Sequence, residues 1–170
     1  MDDLAGKAFI KEVASGAAAT PAVTRTADGT GVDECGVVTY RGAVYPWHCD
    51  HMGHMNVMSY IGKFDEATWQ LFARLGLTPS FLRGNQRGMA AVEQSVLYKK
   101  ELVAGDLVTI RSAVLEIKEK SLRFKHQMLK EESGELAAAT TLVAVHLDTQ
   151  ARRACALPPQ VRPLAWDVMA

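Results

Sequence analysis

The chain has 170 residues, 48% of them hydrophobic and 22% charged, which predicts one domain with a substantial core and excludes disorder for its bulk. Nineteen Lys and Arg balance nineteen Asp and Glu, so the basic stripe of a nucleic-acid-binding protein is absent. No apolar run approaches the roughly 20 residues of a membrane helix, and the acidic start Met1-Asp2-Asp3-Leu4 lacks a signal-peptide layout. Three scattered cysteines (Cys35, Cys49, Cys155) make no disulfide framework, so the expected compartment is the reducing cytoplasm.

Residues 1–35 are rich in Ala, Gly and Thr and carry no sustained period. They read as a flexible extension, with a short helix over Leu4 to Ala14 as the alternative, ahead of one domain over residues 36–170. The β-branched and aromatic run Val37 to Tyr45 predicts a strand that Pro46 ends. An irregular segment, Trp47 to Met55, leads into a long helix. Asn56 suits its N-cap. Apolar residues at Val57, Tyr60, Ile61, Phe64, Ala67, Leu71, Phe72 and Leu75 then mark one helical face. Lys63, Glu66, Gln70 and Arg74 fall opposite. Gly76 stands where a left-handed terminal residue is wanted.

Four strands follow: Met89 to Tyr98, Leu107 to Ile117, Leu122 to Met128 and Leu136 to Leu147. The third has a clean period of two, with Leu122, Phe124, His126 and Met128 inward. The short turns between them predict antiparallel neighbours. The tail, Leu157 to Pro163, reads as a Pro-rich edge segment. One helix laid across one curved antiparallel sheet is an α+β arrangement.

The segment Trp47-His48-Cys49-Asp50-His51-Met52-Gly53-His54-Met55-Asn56 holds three of the five histidines, a cysteine and a carboxylate. A loop at a helix entrance is a good place for chemistry: free backbone N–H groups and the positive end of the helix dipole favour an oxyanion. A carboxylate beside them can act as nucleophile or general base. Two plainer readings compete. Asp50 can simply cap a turn, and Asn56 can be only an N-cap. His48, His51 and His54, spaced by three, also offer a metal reading, but no second ligand group accompanies them. No Gly-rich phosphate loop is present.

These residues, continued by Tyr60, Phe64 and Ala67, resemble the 4-hydroxybenzoyl-CoA thioesterase-like branch of the hotdog-fold superfamily, whose pattern is W-x-x-D-x-x-G-H-x-N-x-x-x-Y-x-x-x-F-x-x-A. The resemblance extends through Leu97 to Asp106 and covers roughly Val37 to Leu147. It implies a five-stranded antiparallel sheet wrapped round one central helix, paired into a homodimer or homotetramer. The implied activity is hydrolysis of an acyl-CoA thioester, with no cofactor or metal, at a site on the dimer interface. The carboxylate maps onto Asp50, and the carbonyl-binding N–H groups onto Gly53, His54 and Asn56. Branches with a helical Glu would use Glu66, which lies opposite the apolar stripe. Trp47, Met55, Tyr60 and Glu93 are the candidates for substrate contact, although Tyr60 also sits on the apolar stripe. Lys99, Lys100, Arg123 and Lys125 are candidates for the CoA phosphates. A hotdog hydratase or dehydratase, and a non-catalytic acyl-CoA binding module, are the alternative readings.

Overall fold

The computed structural model describes residues 36–170; the expected N-terminal extension, and the helix considered within it, lie outside the described residues. The elements run β1 (Val37–Ala43), α1 (Val57–Arg74), α2 (Pro79–Gly84), β2 (Arg87–Tyr98), β3 (Leu107–Ile117), β4 (Ser121–Lys130), β5 (Leu136–Asp148), the two-residue β6 (Arg153–Ala154) and α3 (Val161–Leu164). The long strands form one antiparallel sheet in the order β1-β3-β4-β5-β2, with β6 extending the sheet from β5. This is the hotdog arrangement. No helix among the described residues is long and apolar enough to cross a membrane.

Local chemistry sets the ends of α1. The Asn56 side-chain oxygen accepts the Met58 N–H at 2.9 Å, satisfying one of the orphan donors of the first turn. Gly76, at φ +77°, turns the chain out of the helix. Tyr60, Phe64, Ala67 and Leu71 are buried against the sheet. Leu122, Phe124, His126 and Met128 meet them from β4, all within 1% of full burial, as the period of two requires.

His126 sits between two apolar clusters and joins helix to sheet. Its ring stacks on Phe64 at 5.9 Å, its Nε2 meets Thr68 Oγ1 at 2.9 Å and its Nδ1 meets Ser112 Oγ at 2.5 Å. Thr39 on β1 continues the chain of hydroxyls to Ser112. A buried polar residue is tolerated where each of its polar atoms has a partner, as here.

Two expectations need correction. Lys63, assigned to the outer face, is 4% exposed: its ammonium donates to Tyr40 Oη at 2.8 Å and to the Ala43 carbonyl at 3.2 Å. The long stem lets a lysine cover apolar surface while its head finds oxygen acceptors. The tail is also more than an edge segment, because Val161, Ala165 and Val168 are buried in the same cluster as Leu75, Leu77 and Val114.

Candidate active site

The loop before α1 is a tight, bridged turn. Cys49 and Met55 pair as an antiparallel bridge. Within it the Asp50 N–H donates to the His54 carbonyl at 3.0 Å, and the Gly53 N–H donates to the Asp50 carbonyl at 3.0 Å. Gly53 holds φ +83° to close the turn, a conformation glycine adopts without penalty. The Asp50 carboxylate is fixed by two donors: the Met52 N–H on Oδ1 at 2.9 Å and the Asn56 side-chain amide on Oδ2 at 3.2 Å. Asn56 therefore does two jobs, capping α1 with its oxygen and holding Asp50 with its nitrogen. Asp50 is half-buried and keeps spare lone pairs, since a carboxylate accepts at about four sites.

The amides expected to bind a carbonyl are mostly engaged. Gly53 donates as described, Met55 donates to the Leu102 carbonyl at 2.7 Å and Asn56 to the His48 carbonyl at 2.8 Å. Among the described residues, the amides of His54 and Val57 have no acceptor. Val57 opens α1, so its N–H carries the full helix-dipole contribution. It is a free donor that sequence reasoning did not name. The missing signal was positional: the first helical residue after a side-chain cap keeps its N–H free.

The other candidates divide. The His54 imidazole is spent on Glu101, with Nε2 3.2 Å from Oε2. His48 accepts the Tyr45 N–H on Nδ1 at 3.0 Å, and burial, reinforced by Lys63, lowers its pKa. The three loop histidines do not converge, and no metal-holding group of His, Cys, Asp or Glu occurs among the described residues. Trp47 is 74% exposed and stacks flat on Tyr45 at 4.5 Å. Met55 and Tyr60 belong to the packing: both are 4% exposed in one apolar cluster, and Tyr60 Oη donates to the Lys100 carbonyl at 3.3 Å. Both expected contact residues are thus packed into the core among the described residues. Lys100 is paired with Glu135 at 3.2 Å.

One irregularity decides which face of β2 carries Glu93. Ala91 pairs with Ala144 and Glu93 with Val143, so Val92 is an extra residue in β2. A bulge of this kind shifts every later side chain to the opposite face. Ala91 and then Gln94 point toward α1, and Glu93 points away. Gln94 lines a cleft of about 110 Å³ between α1 and the sheet. Ile61, Asp65 and Trp69 form its helical wall, one ridge of residues four apart that continues Val57. Both helical carboxylates are exposed, and the one that lines the cleft is Asp65 rather than Glu66.

The sequence profile of the thioesterase-like superfamily matches residues 44–164. The chain belongs to that superfamily. An Agrobacterium fabrum L-carnitine dehydrogenase/betainyl-CoA thioesterase is 32% identical over 110 residues, 65% of this chain and 22% of that larger protein. The long-chain acyl-CoA thioesterase of Escherichia coli is 25% identical over 120 residues, 68% of this chain and 87% of that protein. A Staphylococcus aureus protein solved in complex with CoA shares the fold with a TM-score of 0.73 at 19% identity, covering 82% of this chain and 90% of that one.

Proposed function

We propose that the chain hydrolyses an acyl-CoA thioester to a free acid and CoA, using Asp50 and the start of α1. One observation carries the reading. A carboxylate held by two donors stands in the turn that opens onto a helix whose first N–H is unpaired. The Val57 N–H, aided by the helix dipole, polarises the thioester carbonyl and holds the negative charge that develops on its oxygen. Asp50 drives the addition, either by attacking the carbonyl carbon or by taking the proton of an attacking water. The thiolate of CoA leaves as the carbonyl re-forms: the water route gives the free acid directly, and the nucleophile route gives a mixed Asp50–acyl anhydride that water then hydrolyses, freeing the acid and Asp50. Asn56 keeps the carboxylate aimed, and no side chain of the loop needs to change partner for the reaction.

A second copy of the chain completes the site in this proposal. β2 is a twelve-residue edge strand with no neighbour on its outer side among the described residues. Leu97 and Tyr98 on it are exposed, and so are Trp47, Val57 and Met58 around the loop. Natural sheets rarely leave an edge of this length open, and apolar surface of this extent marks a partner. CoA-dependent hydrolysis fits a cytoplasmic homodimer or larger homo-oligomer.

Asp50→Asn tests the assignment. Asparagine keeps the shape and can keep one loop hydrogen bond while the charge is lost. The expected result is a fall in acyl-CoA turnover of about 100-fold or more with an unchanged melting temperature. Turnover within tenfold of the parent, measured by release of free thiol, would refute the role given to Asp50.

A further inference from the structure

The relatives are named for acyl groups as different as betainyl and long-chain ones, and the lining of the cleft beside α1 bears on which such group this chain would take. Three of its lining rings are set nearly at right angles in series. Trp69 meets Phe72 at 89° with centroids 5.8 Å apart, and Phe72 meets Phe124 at 75° and 5.5 Å. Phe72 and Phe124 are buried, whereas Trp69 is 40% exposed at the mouth. The helix adds one carboxylate to this lining, the exposed Asp65. Among the described residues Asp65 has no ion-pair or hydrogen-bond partner. The amide of Gln94, the other long polar side chain of the lining, is turned to Thr140 at 3.4 Å.

A neutral alkyl group in the cleft would strip water from Asp65 and return nothing, an unfavourable exchange for a carboxylate. A cation would meet both the carboxylate and the exposed Trp69 ring, each attractive to positive charge. We infer that the cleft takes the cationic end of an acyl group, an alkylammonium or quaternary ammonium, with Asp65 and Trp69 as the specificity-determining residues. This rests on the thioesterase reading above and names its substrate class.

Reach adds a second element. Eight residues separate Val57 from Asp65, about 12 Å along the helix axis. A betainyl cation lies only two bonds from its carbonyl, about 3 Å. A short cationic acyl group can therefore fill the cleft only if its thioester is held by the loop of a second copy. A cation carried on a chain of about eight bonds spans the distance within one protomer.

The test uses matched pairs of CoA esters that differ by one atom, nitrogen against carbon. The short pair is betainyl-CoA and 3,3-dimethylbutanoyl-CoA. The long pair is 8-(trimethylammonio)octanoyl-CoA and 9,9-dimethyldecanoyl-CoA. The expected result is a kcat/KM ratio of cation to neutral ester of about tenfold or more in at least one pair. Asp65→Asn and Trp69→Leu should each bring that ratio close to one, and Asp65→Glu, which keeps the charge, should retain it. The length that shows the preference tells whether one protomer or two build the site. Hydrolysis of cationic and neutral esters at equal rates in both pairs would overturn the cation assignment and leave the thioesterase reading standing. Failure to hydrolyse any of the four, while the chain also releases no thiol from a broader acyl-CoA panel, would overturn that reading and the cation assignment with it.

Discussion

The buried His126 should make the fold acid-sensitive, and its share can be isolated. The ring is 0% exposed. The Thr68 hydroxyl donates to the Phe64 carbonyl at 2.9 Å, so it accepts from His126 Nε2–H, and Nδ1 is left to accept from Ser112. That assignment satisfies the neutral ring on both sides. Burial opposes the charged form and pushes its pKa from 6.5 to about 3. Below pH 6.5 the unfolded chain therefore binds a proton that the native state does not, so stability falls as pH falls. The contribution is complete above the unfolded value and is lost progressively from about 6.5 down to about 3. Linkage gives a loss of about 2 kcal/mol at pH 5 and about 3 kcal/mol at pH 4 relative to pH 7.5.

His48, whose pKa burial also lowers, adds to the same trend, as do the depressed carboxyls of Glu135 and Asp148. The measurement must therefore be a difference. His126→Leu removes the titration, while Ser112 keeps Thr39 and Thr68 keeps the Phe64 carbonyl as partners. Urea unfolding of both proteins at pH 7.5 and pH 5, at one fixed protein concentration, gives the two stability gaps. The gap should shift by about 2 kcal/mol in favour of the leucine variant on acidification. A gap constant to within about 0.5 kcal/mol, a third of a pKa unit, would refute the reasoning.

Removing residues 158–170 uncovers the cluster closed by Val161, Ala165 and Val168; a loss of at least about 3 kcal/mol is expected from the two valines alone, read as a lower urea midpoint. Gly76→Ala should cost about 1–2 kcal/mol, because φ is +77° and the new methyl would stand 3.2 Å from Leu164 Cδ1; an unchanged melting temperature would contradict the backbone argument. Sedimentation at micromolar concentration should give at least twice the 18.5 kDa of one chain, and a homogeneous, active monomer would refute the shared site.

Much of this molecule is local, and what is local was legible. The long helix follows from apolar spacing and from Asn56 and Gly76, each of which acts within a few residues of itself. The inward row of β4 follows from alternation, and the loop carrying Asp50 stands out by composition alone. These features depend on contacts between near neighbours in sequence, and near neighbours are what a sequence displays.

The rest depended on partners far along the chain. Whether a loop amide is free depends on which carbonyl reaches it: Leu102, 47 positions away, takes the Met55 N–H and leaves Val57 as a donor. Lys63 is buried because β1 brings Tyr40 and the Ala43 carbonyl over it. Gln94 rather than Glu93 enters the cleft because pairing with β5 extrudes Val92, and alternation cannot be counted across a bulge that only the partner strand imposes. Asp65, which helical spacing did not single out, becomes a cleft residue once β2 and β4 stand opposite it. Sequence determined the elements and the loop that holds the candidate carboxylate; tertiary pairing decided which donors are free and which side chains line the cleft, because both depend on long-range hydrogen bonds and strand register rather than on local propensity.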